Sequence, residues 1–233
     1  MTSLLSTHNL QAFYGDAQAL FGVDFELNEG EVVAMIGANG AGKSTFLKSL
    51  LGQVKVPRQA VQFQGHGIGG LPTNEIVRSG IALVPEGRKL FPSLSVEENL
   101  LMGAMAGRSG PWNLQRLYQL FPILQEKRFA PSTSLSGGQQ QMVALGRALM
   151  GNPLILLCDE LSLGLAPIVI GEIYKAMPRI CAEGMTVVIV EQDVGLAQQV
   201  SQRMLCLQEG RVSLQGRSNE LSRAQISQAY FGL

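Results

Sequence analysis

Charge of either sign is scarce in this chain, and what there is cancels: 18 basic residues stand against 18 acidic ones, and charged side chains make up 15% of 233 residues. So balanced a chain gives no whole-molecule charge that argues for nucleic acid or an anionic membrane, which excludes only strongly electrostatic partners; no nucleic acid is expected. Sulfur and imidazole are as thin. The three cysteines, Cys158, Cys181 and Cys206, and the two histidines, His8 and His66, show no metal-ligand spacing, so the thiols read as buried residues of a reducing cytoplasm. No apolar run approaches the ~18 residues that span a bilayer. Residues 1–10 lack the charged start and apolar centre of a secretory signal, and the expectation is a soluble chain. What is abundant is apolar: 46% of residues are hydrophobic and the mean hydropathy is +0.17. That leaves apolar surface for a partner to cover. The length fits one large domain or two small ones.

The most informative stretch is Gly37-Ala38-Asn39-Gly40-Ala41-Gly42-Lys43-Ser44. It follows the apolar run Val32-Val33-Ala34-Met35-Ile36 and precedes a helical pattern that starts near Thr45. Glycines let the backbone curl so that successive N–H groups point inward, and the helix behind adds its positive dipole end, which together make an anion cradle. Lys43 would reach the β- and γ-phosphates of a nucleotide, and the Ser44 hydroxyl would ligate Mg²⁺. A plain glycine-rich turn after a strand is the blander alternative, and the strand before with the helix after disfavours it.

Alternating apolar residues over 4–14 and 19–27, broken at Gly15-Asp16, predict a strand, turn and strand. Tyr14, just ahead of that turn, is either ordinary strand packing or a ring able to stack on a base. Short strands are predicted at 61–63 and 81–84, with a helix over 73–79 stopped by Gly80. From Pro85 the texture becomes helical. Ser95-Val96-Glu97-Glu98 is a capping box opening a helix through about Met105, Pro111 starts another, and 122–129 forms a third. Strand and helix then alternate again. Leu154-Ile155-Leu156-Leu157-Cys158 and 186–190 are continuous apolar runs suited to parallel strands buried on both faces. Helices are expected over 140–150, 171–182, 194–201 and 218–229, and Glu209-Gly210 marks a hairpin.

Two features extend the phosphate argument. The 154–158 run ends in Asp159-Glu160, at the carboxyl end of a buried strand where α/β sheets bind ligands. The first carboxylate suits Mg²⁺ and the second suits orienting or deprotonating an attacking water. Leu135-Ser136-Gly137-Gly138-Gln139 opens a helix with small residues and bare N–H groups, a second anion site. Two such helix starts in one chain make sense if two chains sandwich one nucleotide.

Together these residues resemble the ATP-binding subunit of an ABC transporter over nearly the whole chain. Residues 37–44 match the Walker A loop, 135–139 the signature motif, 154–159 the Walker B strand and Glu160 the catalytic carboxylate; Tyr14 matches the adenine-stacking aromatic. Val84-Pro85-Glu86-Gly87-Arg88, Ser95-Val96-Glu97-Glu98-Asn99-Leu100, Ser162-Leu163-Gly164-Leu165-Ala166-Pro167 and Val190-Glu191-Gln192 narrow the resemblance to an ATPase subunit of bacterial branched-chain amino acid importers.

The resemblance implies an α/β fold, a phosphate-loop NTPase core of mostly parallel sheet flanked by helices, with an N-terminal antiparallel β part and an inserted helical subdomain. A single domain is expected over 1–233, with core segments 1–86 and 137–233 and the helical subdomain at 87–136. It implies ATP bound by Tyr14, Gly37, Ala38, Asn39, Gly40, Ala41, Gly42, Lys43, Ser44 and Thr45, and by Ser136, Gly137, Gly138 and Gln139. Mg²⁺ falls to Ser44, Glu86 and Asp159, and catalysis to Glu160, Lys43 and Gln192. Most of the family has glutamine where Glu86 stands and a switch histidine where Gln192 stands, so Gln192 can donate an amide N–H but cannot take up a proton. Leu161 also departs from the usual proline, leaving a freer backbone beside Glu160.

The implied partners are membrane permease subunits, met through the loop Arg88-Lys89-Leu90-Phe91, a second similar ATPase subunit forming a heterodimer, and indirectly a periplasmic solute-binding protein. The implied location is the cytoplasmic face of the inner membrane, peripherally. A urea or short-chain amide importer, or a weakly hydrolysing regulatory subunit, are the alternatives. A soluble ATPase of translation or DNA repair would carry two nucleotide-binding halves or a long coiled coil, and neither is here.

Overall fold

The computed structural model describes residues 3–231. Strands β1 (Leu5–Tyr14) and β2 (Ala17–Leu27) form an antiparallel hairpin about Gly15-Asp16, and β3 (Val32–Ile36), buried at every position, leads through the phosphate loop into helix α1 (Lys43–Leu50). After β4 (Val61–Phe63), β5 (His66–Gly67), α2 (Thr73–Ser79) and β6 (Ile81–Val84) come helices α3 (Val96–Gly103), α4 (Leu114–Leu120), α5 (Pro122–Glu126) and α6 (Gly137–Met150). The remainder is β7 (Ile155–Asp159), α7 (Pro167–Cys181), β8 (Thr186–Val190), α8 (Val194–Val200), β9 (Arg203–Gln208), β10 (Arg211–Arg217) and α9 (Arg223–Phe231). Among the described residues no helix is long and apolar enough to cross a membrane.

Five helix starts differ from the sequence reading, each for a local reason. Pro111 opens no helix; Asn113 accepts the Arg116 N–H at 3.0 Å and starts α4 two residues beyond the expected proline signal. Helix α6 begins at Gly137, not 140, because Ser136 and Gln139 form a reciprocal capping box. Helix α7 begins at Pro167, not 171, since proline suits the first helical turn. Helix α9 begins at Arg223, not 218: the Ser218 N–H pairs with the Gln202 carbonyl, and Ser222 accepts the Gln225 N–H. Helix α1 starts at Lys43 on left-handed Gly42, which periodicity does not register.

The chain divides into two compact units, one running up to Ile76 and resuming at Thr186, the other spanning Val77–Met185. In the first, β1, β2, β4 and β5 make an antiparallel sheet in the order β2-β1-β4-β5. Beside this, β3 pairs in parallel with β8 on one edge and β9 on the other, and β10 folds back antiparallel on β9. A parallel sheet covered on both faces leaves its inner strands no solvated side, which is why β3 is apolar throughout and β8 is apolar after buried Thr186. Ala34, Ile36, Met204 and Cys206 pack with Ala197 of α8 and Ile226 of α9.

In the second unit β6 and β7 pair in parallel, from Ile81 opposite Ile155 to Val84 opposite Cys158. Helix α3 lies close along α6 because two glycines permit it. A Cβ on Gly103 would sit 1.8 Å from the Arg147 carbonyl oxygen, and one on Gly146 would sit 2.8 Å from Leu100 Cδ2.

One ion pair in the first unit ties sequence-distant strands together. Arg203, at the start of β9, donates to the Glu31 carboxylate from Nε at 2.8 Å and from Nη2 at 3.0 Å, and the Asn28 N–H adds a third bond at 3.0 Å. Burial pushes the Glu31 carboxyl upward, but the Arg203 and Asn28 hydrogen bonds outweigh it and the net displacement is downward. A carboxylate depressed in the folded state contributes stability that is complete above its unfolded pKa and is lost as pH falls through the folded value. Glu31→Gln is therefore expected to lower stability at pH 7 by about 1–3 kcal/mol and to flatten the loss of stability below about pH 4.5. Urea unfolding at pH 7 and pH 4 checks this, and parallel pH profiles for the two proteins would contradict it.

Candidate functional site

The first unit holds the phosphate loop with Tyr14 and Gln192. Gly37 leaves β3 at φ 151°, and a Cβ there would meet the Leu207 carbonyl oxygen at 2.3 Å. Only glycine lets the chain pass that close to β9. Gly40, at φ 83°, has nothing within 4 Å of where a Cβ would be, so the loop's crest faces open space. Ala38, Asn39 and Gly40 are exposed, whereas Ala41 is buried and its carbonyl accepts the Gly210 N–H at 2.9 Å. The β9–β10 turn thus holds the loop from behind.

Lys43 is buried and folds back over the loop, donating from Nζ to the carbonyls of Gly37 at 2.7 Å and Ala38 at 3.0 Å. Helix α1 has Gly42 as its N-cap, so no cap side chain lies over its first turn, where Ser44 and Thr45 sit. The Tyr14 ring stands half-exposed at the end of β1, its hydroxyl 3.5 Å from Thr45 Oγ1. An aromatic face in solvent beside an anion cradle can take a nucleobase. Gln192 follows buried Glu191 at the end of β8, and Asp193 caps α8 by accepting the Leu196 N–H.

The second unit holds Glu86, Asp159, Glu160 and the 136–139 helix start. Asp159 is the buried last residue of β7, and Glu160 follows with φ 52°, a left-handed conformation that a non-glycine residue holds only when its surroundings impose it. Leu161, at 0% exposure, is one such constraint. Its side chain anchors by packing the position that a proline would stiffen by its ring. Glu86 is exposed in the turn after β6.

Ser136 is exposed. Its Oγ accepts the Gln139 N–H at 3.3 Å while the Gln139 side-chain oxygen accepts the Ser136 N–H at 3.0 Å. Gly138 is buried because a Cβ would lie 2.2 Å from Val169 Cγ1 on α7. Gly137 lies under the Arg88 guanidinium, whose Nη2 would be 3.0 Å from a Cβ there.

Sequence reasoning missed the partners of that loop. Arg88 Nη1 donates to Gln140 Oε1 at 3.1 Å, and Arg147, ten residues along α6 from Gly137, donates to the Lys89 and Arg88 carbonyls at 2.8 and 3.0 Å. Burial pushes the Arg147 guanidinium below its ordinary range. No spacing rule joins residue 88 to residue 147. The Ser136 capping box was missed as well, although its S-x-x-Q spacing is the signal that could have found it.

A glycine-rich loop between a buried parallel strand and a helix, with a lysine folded into it, defines the class of phosphate-binding nucleotide proteins. The ABC transporter family model matches residues 20–162. The chain is 41% identical over 98% of its length to all of the high-affinity branched-chain amino acid transport ATP-binding protein BraG of Pseudomonas aeruginosa. It superimposes on the structure of an ATP-binding subunit of an ABC transporter with a TM-score of 0.84, at 29% identity, covering 97% of this chain and 94% of that one. A dimeric post-hydrolysis state of the ATP-binding cassette MJ0796, bound to ADP and phosphate, gives a TM-score of 0.81 at 25% identity, with 93% and 100% covered. The chain belongs to the ABC transporter ATP-binding family.

The buried leucine after Glu160 separates two effects that proline would merge. Leu161→Ala is expected to cost about 2–5 kcal/mol of stability through the lost packing, read from urea unfolding. Leu161→Pro, which restricts the left-handed residue before it, is expected to change nucleotide turnover modestly and leave nucleotide affinity intact. Unchanged turnover and affinity would show that the backbone at 161 does not poise Glu160.

Proposed function

We propose that this chain is the ATP-hydrolysing subunit of a bacterial ABC importer for branched-chain amino acids, working as half of a head-to-tail pair. The observation that carries the reading is the phosphate loop, with an uncapped helix start behind it and the Lys43 ammonium already folded into its curl. The solute class rests on the similarity to the Pseudomonas protein. As one cassette domain, 1–86 and 137–233 form the nucleotide-binding core and 87–136 the helical subdomain.

In this reading Lys43 exchanges its bonds to the Gly37 and Ala38 carbonyls for the β- and γ-phosphates of ATP, and N–H groups of the 37–45 loop and helix start take remaining phosphate oxygens. Tyr14 stacks on adenine. The Ser136, Gly137, Gly138 and Gln139 start of a second subunit's α6 closes over the γ-phosphate. Glu160 takes a proton from water as its oxygen attacks phosphorus and ADP leaves, and Gln192 donates its amide N–H to the γ-phosphate without taking up a proton.

The donors suit Mg²⁺: Ser44 offers a hydroxyl, Asp159 and Glu86 carboxylates, all hard oxygens. Bound there, Mg²⁺ neutralises charge on the phosphates. The second subunit is a similar, non-identical ATPase. Membrane permeases dock on the 86–91 loop at the cytoplasmic face, and a periplasmic solute-binding protein delivers the solute to them.

Removing the general base leaves binding intact, so Glu160→Gln is expected to lower MgATP hydrolysis by roughly 10²–10⁴-fold and to trap ATP-bound pairs. The measurement is phosphate release by wild type and variant, each with its partner subunit, followed by size-exclusion chromatography. Equal rates would sink the reading.

A further inference from the structure

The loop after β6 holds three successive residues in the left-handed region: Gly87, Arg88 and Lys89, at φ 71°, 64° and 46°. Glycine adopts this freely, whereas Arg88 and Lys89 hold it only where neighbours over-determine it. The neighbours are identifiable. Arg147 grips the Arg88 and Lys89 carbonyls at once, and its guanidinium carbon lies 5.4 Å from the centre of the Phe91 ring. Asn99, fully buried, donates to the Phe91 carbonyl at 3.1 Å and accepts the Phe91 N–H at 2.9 Å, and Ser132 Oγ donates to the same carbonyl. The Arg88 side chain then runs back along α6 to Gln140 and over Gly137, and Gln140 turns its amide to the Ser132 carbonyl at 3.2 Å.

This is a closed circuit between the 86–91 loop and the start of α6. It places a guanidinium at the positive end of a helix, unfavourable until an anion arrives there.

We propose that Arg147 and Arg88 are positioning residues that make the 87–89 turn and the Ser136–Gly138 helix start move as one, so that a permease pressing on the loop sets whether α6 can close on ATP. The coupling is reciprocal, since an anion at the helix start draws Arg88 toward it and tightens the turn. The inference rests on the reading above that Ser136, Gly137 and Gly138 engage a second subunit's nucleotide.

The test uses the transporter assembled with its permeases and second ATPase in lipid vesicles, titrated with MgATP. Arg147→Met is expected to lower kcat on the order of ten-fold with KM within about two-fold, because the interaction acts after binding. Arg88→Met should do the same, and the double variant should fall no further than the worse single one, as expected of residues in one circuit. Arg147→Lys, with one head for two carbonyls, should restore part of the rate.

Hydrogen exchange of the same complexes should rise at both 87–91 and 136–140 in Arg147→Met. A melting-temperature drop with kcat preserved, multiplying losses in the double variant, or exchange rising at 87–91 alone would each overturn the coupling. Glu160→Gln run alongside keeps the two claims apart. If it is dead while Arg147→Met turns over normally, hydrolysis stands and the coupling fails; if it is as active as wild type, the hydrolysis reading itself fails.

Discussion

A backbone that is to offer its N–H groups to an anion must be kept from pairing them with itself, and the first unit is arranged to meet that constraint. β3 is hydrogen-bonded on both edges, by β8 and β9, so the chain leaves the sheet at a fixed point and direction. The loop is then held by contacts on its outer side. The Leu207 carbonyl crowds Gly37, and the Gly210 N–H holds the Ala41 carbonyl. The Gly210 carbonyl accepts the Phe21 N–H, so the turn that braces the loop is itself braced by β2. Lys43 bonds the Gly37 and Ala38 carbonyls and so keeps its positive charge inside the curl, while one loop donor, the Ala41 N–H, pairs within the loop to the Ala38 carbonyl at 3.1 Å.

The second unit meets a different constraint, that a helix start must be presented rigidly. Helix α6 is fixed along its length by close approaches that side chains larger than hydrogen would prevent: Gly138 against Val169, and Gly146 against Leu100. The glycines of the signature stretch are thus matters of packing as much as of phosphate access. Gly138 makes room for α7, Gly137 for the Arg88 side chain. A helix so embedded moves as a rigid body, and whatever is pinned to it moves with it.

Elements whose burial is symmetric were legible in the sequence. β3, β7 and β8 are short apolar runs because both faces are covered, and their ends fell within a residue of expectation. The phosphate loop was legible because glycine spacing reports backbone geometry directly. Helix starts were harder. Pro167 and Asn113 act through local hydrogen bonding and φ preference, which periodicity ignores, and Pro111 carried the right signal type at a position where the chain does not turn helical. Least legible were the tertiary partners. Arg147 looks like any basic residue near a helix end, and its grip on the carbonyls of 88 and 89 depends on how a loop folds 58 and 59 residues away. The buried state of Leu161 belongs to the same class, since a lone leucine after two acids says nothing of what surrounds it.

The two helix starts differ in a way that bears on how, in the proposed pair, they would share one anion. Helix α1 begins on Gly42, which has no side chain to cap it. Helix α6 begins on Ser136, which already caps it. A hydroxyl has two acceptor lone pairs and one donor, and capping uses an acceptor. Ser136 can therefore keep its bond from the Gln139 N–H and still donate its own proton to an oxyanion, so engaging phosphate does not require the helix to uncap. Gln139 binds back to the Ser136 N–H through its side-chain oxygen, which leaves its amide nitrogen as a second donor at the same edge. In the proposed pair one helix start would meet the anion with no side-chain cap in the way, and the other with its cap in place and donors in reserve. The second can approach and withdraw from the γ-phosphate without refolding, which is what repeated closing and opening of a nucleotide sandwich requires.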